Sequence, residues 1–162
     1  MKFAADRTVG KLAQWLRLMG YDTVDSGLPP WEFSQAFANE KRILFTRNTH
    51  LSQQIKSLRI ICLTSNDPKV QVREVIKTLR LQPDEKYFFT RCKLCNTILI
   101  RVPLEEIVNQ VPDHVSIRHD RFSKCNTCGK IYWPGTHYER IRKTLHMLFN
   151  REKRCNQSLN LM

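Results

Sequence analysis

Cys92-Lys93-Leu94-Cys95 and, about thirty residues on, Cys125-Asn126-Thr127-Cys128-Gly129-Lys130 form the pair of segments around which the rest of this chain can be placed. Each Cys-x-x-Cys knuckle lets the backbone wrap one edge of a tetrahedron, and two knuckles supply the four soft thiolates that a zinc ion prefers. Gly129, directly after the second pair, permits the tight backbone that turns amide groups toward sulfur. Two disulfides or four buried thiols are the competing readings; the paired spacing favours zinc. With every ligand position filled by protein, the site has no opening for substrate and is expected to be structural.

Outward from the knuckles, residues 104–111, bounded by Pro103 and Pro112, read as a short helix, and Ile131-Tyr132-Trp133-Pro134-Gly135 as a strand and turn. Thr136 with Glu139 has the spacing of a capping box and opens a last helix. Ile141, Leu145, Leu148 and Phe149 share one face of it, while Arg140, Arg142, Lys143, Arg151, Lys153 and Arg154 load the rest with positive charge. Residues 156–162 are expected to fray.

Before the knuckles the chain alternates between strand-like and helix-like stretches. Lys2-Phe3-Ala4-Ala5 is a short apolar strand ending at Asp6, and Val9, Leu12, Ala13, Leu16 and Met19 then recur at helical spacing until Gly20. Thr23-Val24 is a second, weak strand. After the Gly27-Leu28-Pro29-Pro30 loop, Phe33, Ala36 and Phe37 suggest a helix face. Ile43-Leu44-Phe45-Thr46 is the clearest strand, with Asn48 or Thr49 able to cap a short helix after it. Ile60-Ile61-Cys62-Leu63 is a fourth strand, and Asp67-Pro68 opens a helix buried through Val72, Val75, Ile76 and Leu79. Repeated β-then-α units imply a parallel sheet flanked by helices. The pattern breaks near Leu81-Gln82-Pro83, so an α/β domain is expected over 1–82 and a zinc ribbon with a basic helix over 88–155.

The totals narrow the function. The 162 residues suit one domain with a small appendage, and no apolar run approaches the roughly 20 residues that cross a bilayer. Asp6 arrives too early for a signal peptide, and Cys62 and Cys155 beside a zinc site suit a reducing compartment, so a cytoplasmic location is expected. Lys and Arg number 27 against 15 Asp and Glu, a formal charge of +12. So large an excess points to a polyanion such as RNA, because Lys and Arg release condensed counterions on binding it.

In a parallel α/β sheet the usable crevice lies at the carboxyl ends of the strands. Asp6, Asp25, Thr46-Arg47-Asn48 and Ser65-Asn66-Asp67 fall there. No glycine-rich phosphate loop follows the first strand, which argues against a dinucleotide or P-loop site. Carboxylates at such a crevice can hold Mg²⁺ or Mn²⁺ for phosphodiester hydrolysis. Asp6 is the foremost candidate, with helix capping its alternative role. Asp25 could equally be a loop acid, Glu40 an exposed helix-end acid, and Asp67 a helix cap. Arg47 is placed to meet a phosphate or to pair with Asp6. His137 reads as a packing or capping residue, and His50 and His119 have no partner identifiable from sequence.

Asp6-Arg7-Thr8-Val9-Gly10-Lys11-Leu12-Ala13-Gln14-Trp15-Leu16-Arg17-Leu18-Met19-Gly20-Tyr21-Asp22-Thr23, the strand Arg42-Ile43-Leu44-Phe45-Thr46-Arg47-Asn48, the two knuckles and Tyr132-Trp133-Pro134-Gly135-Thr136-His137-Tyr138 together resemble the Mut7-C ribonuclease domain. The resemblance spans about residues 1–141. It implies a PIN-like α/β fold, a metal-dependent ribonuclease assignment and a C-terminal zinc ribbon. By position it makes Asp6 the first acidic residue and Arg47 the arginine before the next one. Where the family's strand ends in Thr-Arg-Asp, this chain has Thr46-Arg47-Asn48. Ser26-Gly27-Leu28-Pro29-Pro30 replaces an acid-rich segment. Asparagine offers a neutral carbonyl, which binds a divalent cation more weakly and cannot serve as a base.

The expected protein is therefore an RNA-binding, PIN-like, metal-dependent ribonuclease acting on single-stranded RNA. Its catalytic candidates are Asp6, Asp25, Arg47 and Asn48, with Asp6 holding Mg²⁺ or Mn²⁺. Cys92, Cys95, Cys125 and Cys128 hold structural zinc, and Lys11, Arg17, Arg47, Arg140, Arg142 and Lys143 meet RNA. The alternatives are a catalytically impaired RNA-binding adaptor and a zinc-ribbon factor that binds an acidic protein.

Overall fold

A computed structural model describes residues 1–25, 32, 35, 37–55 and 57–159. The chain divides into two compact units, residues 1–96 and 97–162.

The first unit is built on a four-stranded parallel sheet in the order β2-β1-β3-β4. β1 is Lys2–Ala5, β2 Asp22–Asp25, β3 Ile43–Thr46 and β4 Arg59–Cys62. All four residues of β3 are buried, as an inner strand of a covered parallel sheet requires. β1 pairs with β2 on one side, placing Ala5 beside Asp25, and with β3 on the other, placing Ala5 beside Phe45. The chain thus leaves β1 toward one edge and returns to the other side, which puts the topological switch point, where such sheets bind ligands, at the carboxyl ends of β1 and β3.

The helices follow the apolar spacing. In α1, Gly10–Leu18, Leu12, Ala13 and Leu16 are buried, and α1 packs on α3, Pro68–Leu79. Asp67 caps α3 by accepting from the Lys69 N–H at 2.8 Å, and Val72, Val75, Ile76 and Leu79 form its buried face. The short α2, Leu51–Gln54, follows β3. Gly20 ends the first helical segment at φ +88°, where a Cβ would lie 2.5 Å from the Tyr87 carbonyl oxygen; no other residue fits there. Of the helix face expected at Phe33, Ala36 and Phe37, the first two residues lie outside the described residues. Phe37 packs against the cluster of Ala4 and Leu44.

The second unit holds a three-stranded antiparallel sheet, β5-β6-β7, made of Ile100–Val102, Phe122–Lys124 and Ile131–Tyr132. Its core joins Val102, Ile107, Val111, Val115 and Phe122, with Leu104, Ile131 and Trp133 packed on it. The helix expected over 104–111 is instead two 3₁₀ turns, Leu104–Glu106 and Val108–Gln110, and α4 begins only at Asp113. Pro112 explains the delay: it holds Val111 extended, at φ −123° and ψ 151°. The final helix, α5, runs Thr136–Leu159 and buries Leu145 and Leu148. Thr136 is its first residue rather than its cap, and the Glu139 N–H bonds to the Gly135 carbonyl, so no capping box forms.

Candidate functional site

Asp6 directly follows β1 at the crevice. Only 8% of it is exposed, and among the described residues both oxygens are held by hydroxyl and backbone donors rather than by a cation. Oδ1 accepts from the Thr8 backbone N–H at 2.8 Å and from the Thr8 hydroxyl at 2.5 Å, which makes Asp6 the cap of the 3₁₀ turn Arg7–Val9. Oδ2 accepts from the Thr46 hydroxyl. Each hydroxyl accepts in turn from the end of β3: Arg47 N–H donates to Thr8 and Asn48 N–H to Thr46, both at 2.9 Å. Two threonines therefore tie one carboxylate to two consecutive amides of the neighbouring strand. The sequence reading placed Thr46 at the strand ends but tied neither threonine to Asp6, although a hydroxyl residue two positions after an acid, and another at a strand end, is the usual material for such ties.

The other expected crevice residues are dispersed. Asn48 is exposed, and its side-chain carbonyl accepts from the His50 N–H at 3.0 Å rather than facing Asp6 as a ligand. Arg47 makes no ion pair with Asp6; its Nε is buried and has no hydrogen-bond partner among the described residues. Asp25 sits at the end of edge strand β2, where its carboxylate receives Arg17 Nη2 at 2.5 Å. Asp67 caps α3, and Glu40 pairs with Arg42 and Lys2 before β3, at the opposite ends of the strands from Asp6. Among the described residues no group of three or more possible metal ligands forms around Asp6. Its three hydrogen bonds leave room on its roughly four lone-pair sites for one further donor or cation. Mg²⁺ is commonly held by one or two carboxylates while keeping several waters, so this donor set fits such a cation as a weak site.

The second cluster is the four-cysteine group. The sulfurs of Cys92, Cys95, Cys125 and Cys128 all lie within 4.8 Å of one another. A tetrahedral zinc with bonds of about 2.3 Å sets its sulfurs about 3.8 Å apart, so the group can hold a metal such as zinc and is consistent with a zinc ribbon. The two knuckles share a backbone plan. Asn96 N–H donates to the Cys92 carbonyl at 3.0 Å and Gly129 N–H to the Cys125 carbonyl at 2.8 Å. Both donors adopt left-handed backbone, at φ 67° and 72°. The Cys95 N–H points at Cys92 Sγ, 3.4 Å away.

Arg17, expected among the RNA contacts, is 1% exposed and directs its guanidinium inward. Nε donates to the Thr23 carbonyl at 2.7 Å, and Nη1 to the Lys93 and Leu94 carbonyls at 2.9 and 2.8 Å. Its partners are backbone carbonyls, so the sequence carries no sign that sets Arg17 apart from a surface cation. The remaining basic candidates, Lys11, Arg140, Arg142 and Lys143, are exposed.

At the opposite ends of the strands the acids are paired with cations. Arg42, 6% exposed, donates to Asp22 Oδ1 at 2.6 Å, to Glu40 and to the Phe3 carbonyl. Burial by itself would raise the Asp22 carboxyl, but hydrogen bonds from Arg42 and Asn96 and the charges of Arg42 and Arg91 outweigh it and hold Asp22 below the ordinary range.

These features define a parallel α/β protein with a buried acid at its crevice, a four-cysteine ribbon and a basic C-terminal helix. The sequence model of the Mut7-C RNAse domain matches residues 1–145, and the chain belongs to that family. No curated protein and no solved structure matched it.

Proposed function

We propose that this protein binds single-stranded RNA and cleaves it slowly with the help of Mg²⁺ or Mn²⁺, in a PIN-like α/β domain whose anionic ligand is Asp6. The observation that carries the proposal is the Asp6 carboxylate, buried at the crevice, fixed by two hydroxyls and left without a cationic partner. A divalent cation there would polarise a phosphate oxygen and activate water. The chain's own residues do the rest. Thr8 and Thr46 orient the carboxylate, and the partly exposed Arg47 side chain after β3 brings positive charge to a phosphate there. Exposed Lys11, Arg140, Arg142 and Lys143 supply sequence-independent backbone contacts.

A second reading, an RNA-binding adaptor with impaired hydrolysis, draws on a specific observation. Asn48 stands where the family has an acid and turns its carbonyl to the His50 N–H. Asp25 is paired with Arg17. One carboxylate with no second anionic ligand holds a metal weakly. The deciding experiment is a time course on a labelled single-stranded RNA, with Mg²⁺ or Mn²⁺ omitted and restored, for the native chain and Asp6→Asn. Slow, cation-dependent cleavage lost in Asp6→Asn supports the ribonuclease. Binding that weakens steeply with salt, without cleavage, supports the adaptor.

A further inference from the structure

The first knuckle lies in the unit of residues 1–96, and side chains of that unit bond to its peptide groups. Arg17 Nη1 lies 2.9 Å from the Lys93 carbonyl oxygen and 2.8 Å from that of Leu94, the two residues between Cys92 and Cys95. The peptide whose carbonyl is that of Leu94 carries at its other end the Cys95 N–H, which points at Cys92 Sγ from 3.4 Å. A guanidinium on the oxygen of a peptide draws electron density from its nitrogen and makes the N–H a stronger donor. Arg17 is positioned to strengthen the hydrogen bond that a metal-bound thiolate at Cys92 receives. Asn96 adds a second tie: its Oδ1 accepts from the Thr23 N–H at 2.9 Å and its Nδ2 donates to Asp22 at 2.9 Å. Arg91 adds a third through the Gly20 and Asn96 carbonyls.

We infer that Arg17 is a positioning residue for the four-cysteine metal site: through the Lys93 and Leu94 carbonyls it fixes the first knuckle and raises the affinity of the site for its metal. The inference rests on the four cysteines holding a metal ion. Burial of the guanidinium fits this role, because an arginine that served only as a surface charge would have no reason to place its donors on three carbonyls and one carboxylate. Groups that orient metal ligands in this way typically change affinity about 10–100-fold when removed.

The test uses the full chain loaded with Zn²⁺ and a chromogenic chelator, with Co²⁺ substitution reporting thiolate coordination from its charge-transfer band. Native protein, Arg17→Gln and Val75→Ala are compared. Val75 is buried in α3, so its truncation weakens the same unit by core packing alone. The expected result is about 10-fold or greater loss of affinity in Arg17→Gln, with Val75→Ala holding the metal as the native chain does. Equal affinity in Arg17→Gln and the native chain overturns the inference and leaves the metal site standing. An equal loss in Val75→Ala also overturns it, since general destabilisation then explains the effect. A native chain that binds neither ion defeats the metal-site reading itself.

Should Arg17→Gln fail to fold, hydrogen exchange on the native chain decides. Coupling between the metal and the Arg17 hydrogen bonds is reciprocal, so removing the metal must loosen them. The Arg17 Nε–H, bonded to the Thr23 carbonyl, should exchange faster in the metal-free chain while the amide of Phe45, in the sheet interior, does not change. An unaltered Arg17 Nε–H rate overturns the inference.

Discussion

The two ends of the parallel sheet treat their acids in opposite ways. At the ends where the strands begin, Asp22 and Glu40, both partly exposed, meet the buried guanidinium of Arg42. At the carboxyl ends, Asp6 is more deeply buried than either, yet it meets two threonine hydroxyls and a backbone amide. A carboxylate neutralised by guanidinium has no charge to spare for a metal. One held by neutral donors keeps its full charge and a fixed direction. The difference separates an acid that holds the fold from an acid that can hold a ligand.

The largest effect expected from breaking this contrast is at Arg42. Arg42→Met strands Asp22 and Glu40 without their principal cation and removes a donor from the Phe3 carbonyl. It should lower the stability of the α/β unit by more than the changes below, chiefly because the buried Phe3 carbonyl loses its donor, read by urea unfolding. A loss under about 1 kcal/mol would mean that the cluster is solvated like a surface pair.

Next in size is Thr46→Val, which keeps the shape and removes the hydroxyl between Asp6 and the Asn48 amide. It should cost about 1–3 kcal/mol, because it leaves a buried carboxylate oxygen and an amide unmatched. Cation-dependent cleavage should fall with it. Native stability in this variant would argue that water replaces the hydroxyl without loss.

The smallest expected effect is a pH dependence at Asp22. Its carboxyl is held below the ordinary value in the folded chain, so the folded state binds fewer protons than the unfolded one. Its stabilisation is therefore fully present above an unfolded value near pH 4 and fades as pH falls through the lower folded value. The stability gap between native protein and Asp22→Asn, followed by urea unfolding, should be constant from neutral pH to about pH 5 and close below pH 4. A gap that persists unchanged at pH 2.5 would contradict the assignment to Arg42, Arg91 and Asn96.

Much of this was legible in the chain. Apolar spacing placed all four parallel strands and α1 and α3, because burial of a helix face or an inner strand leaves a period in the sequence. The cysteines announced their cluster by spacing alone. What escaped was set by contacts between distant residues. Three-residue strands such as β5 and β6 carry too little pattern to read, and Pro112 converted an expected helix into two 3₁₀ turns. Arg17 was read as a surface cation because its partners, the Lys93 and Leu94 carbonyls, are backbone atoms that no residue type reveals. Asp6 was found, but its ties to Thr8 and Thr46, which fix its direction, were not.

The contrast between the two ends is tested most directly by titrating Mn²⁺ into the native chain, Asp6→Asn, Asn48→Asp and Asp22→Asn after the cysteine site has been saturated with Zn²⁺. The native chain should bind one Mn²⁺ weakly, Asp6→Asn none, and Asp22→Asn as the native chain does. Asn48→Asp should bind more tightly, since one added charge about 4 Å from a divalent ion contributes roughly 2 kcal/mol even at the dielectric of water. Mn²⁺ binding that survives in Asp6→Asn, or that is lost in Asp22→Asn, would contradict the account.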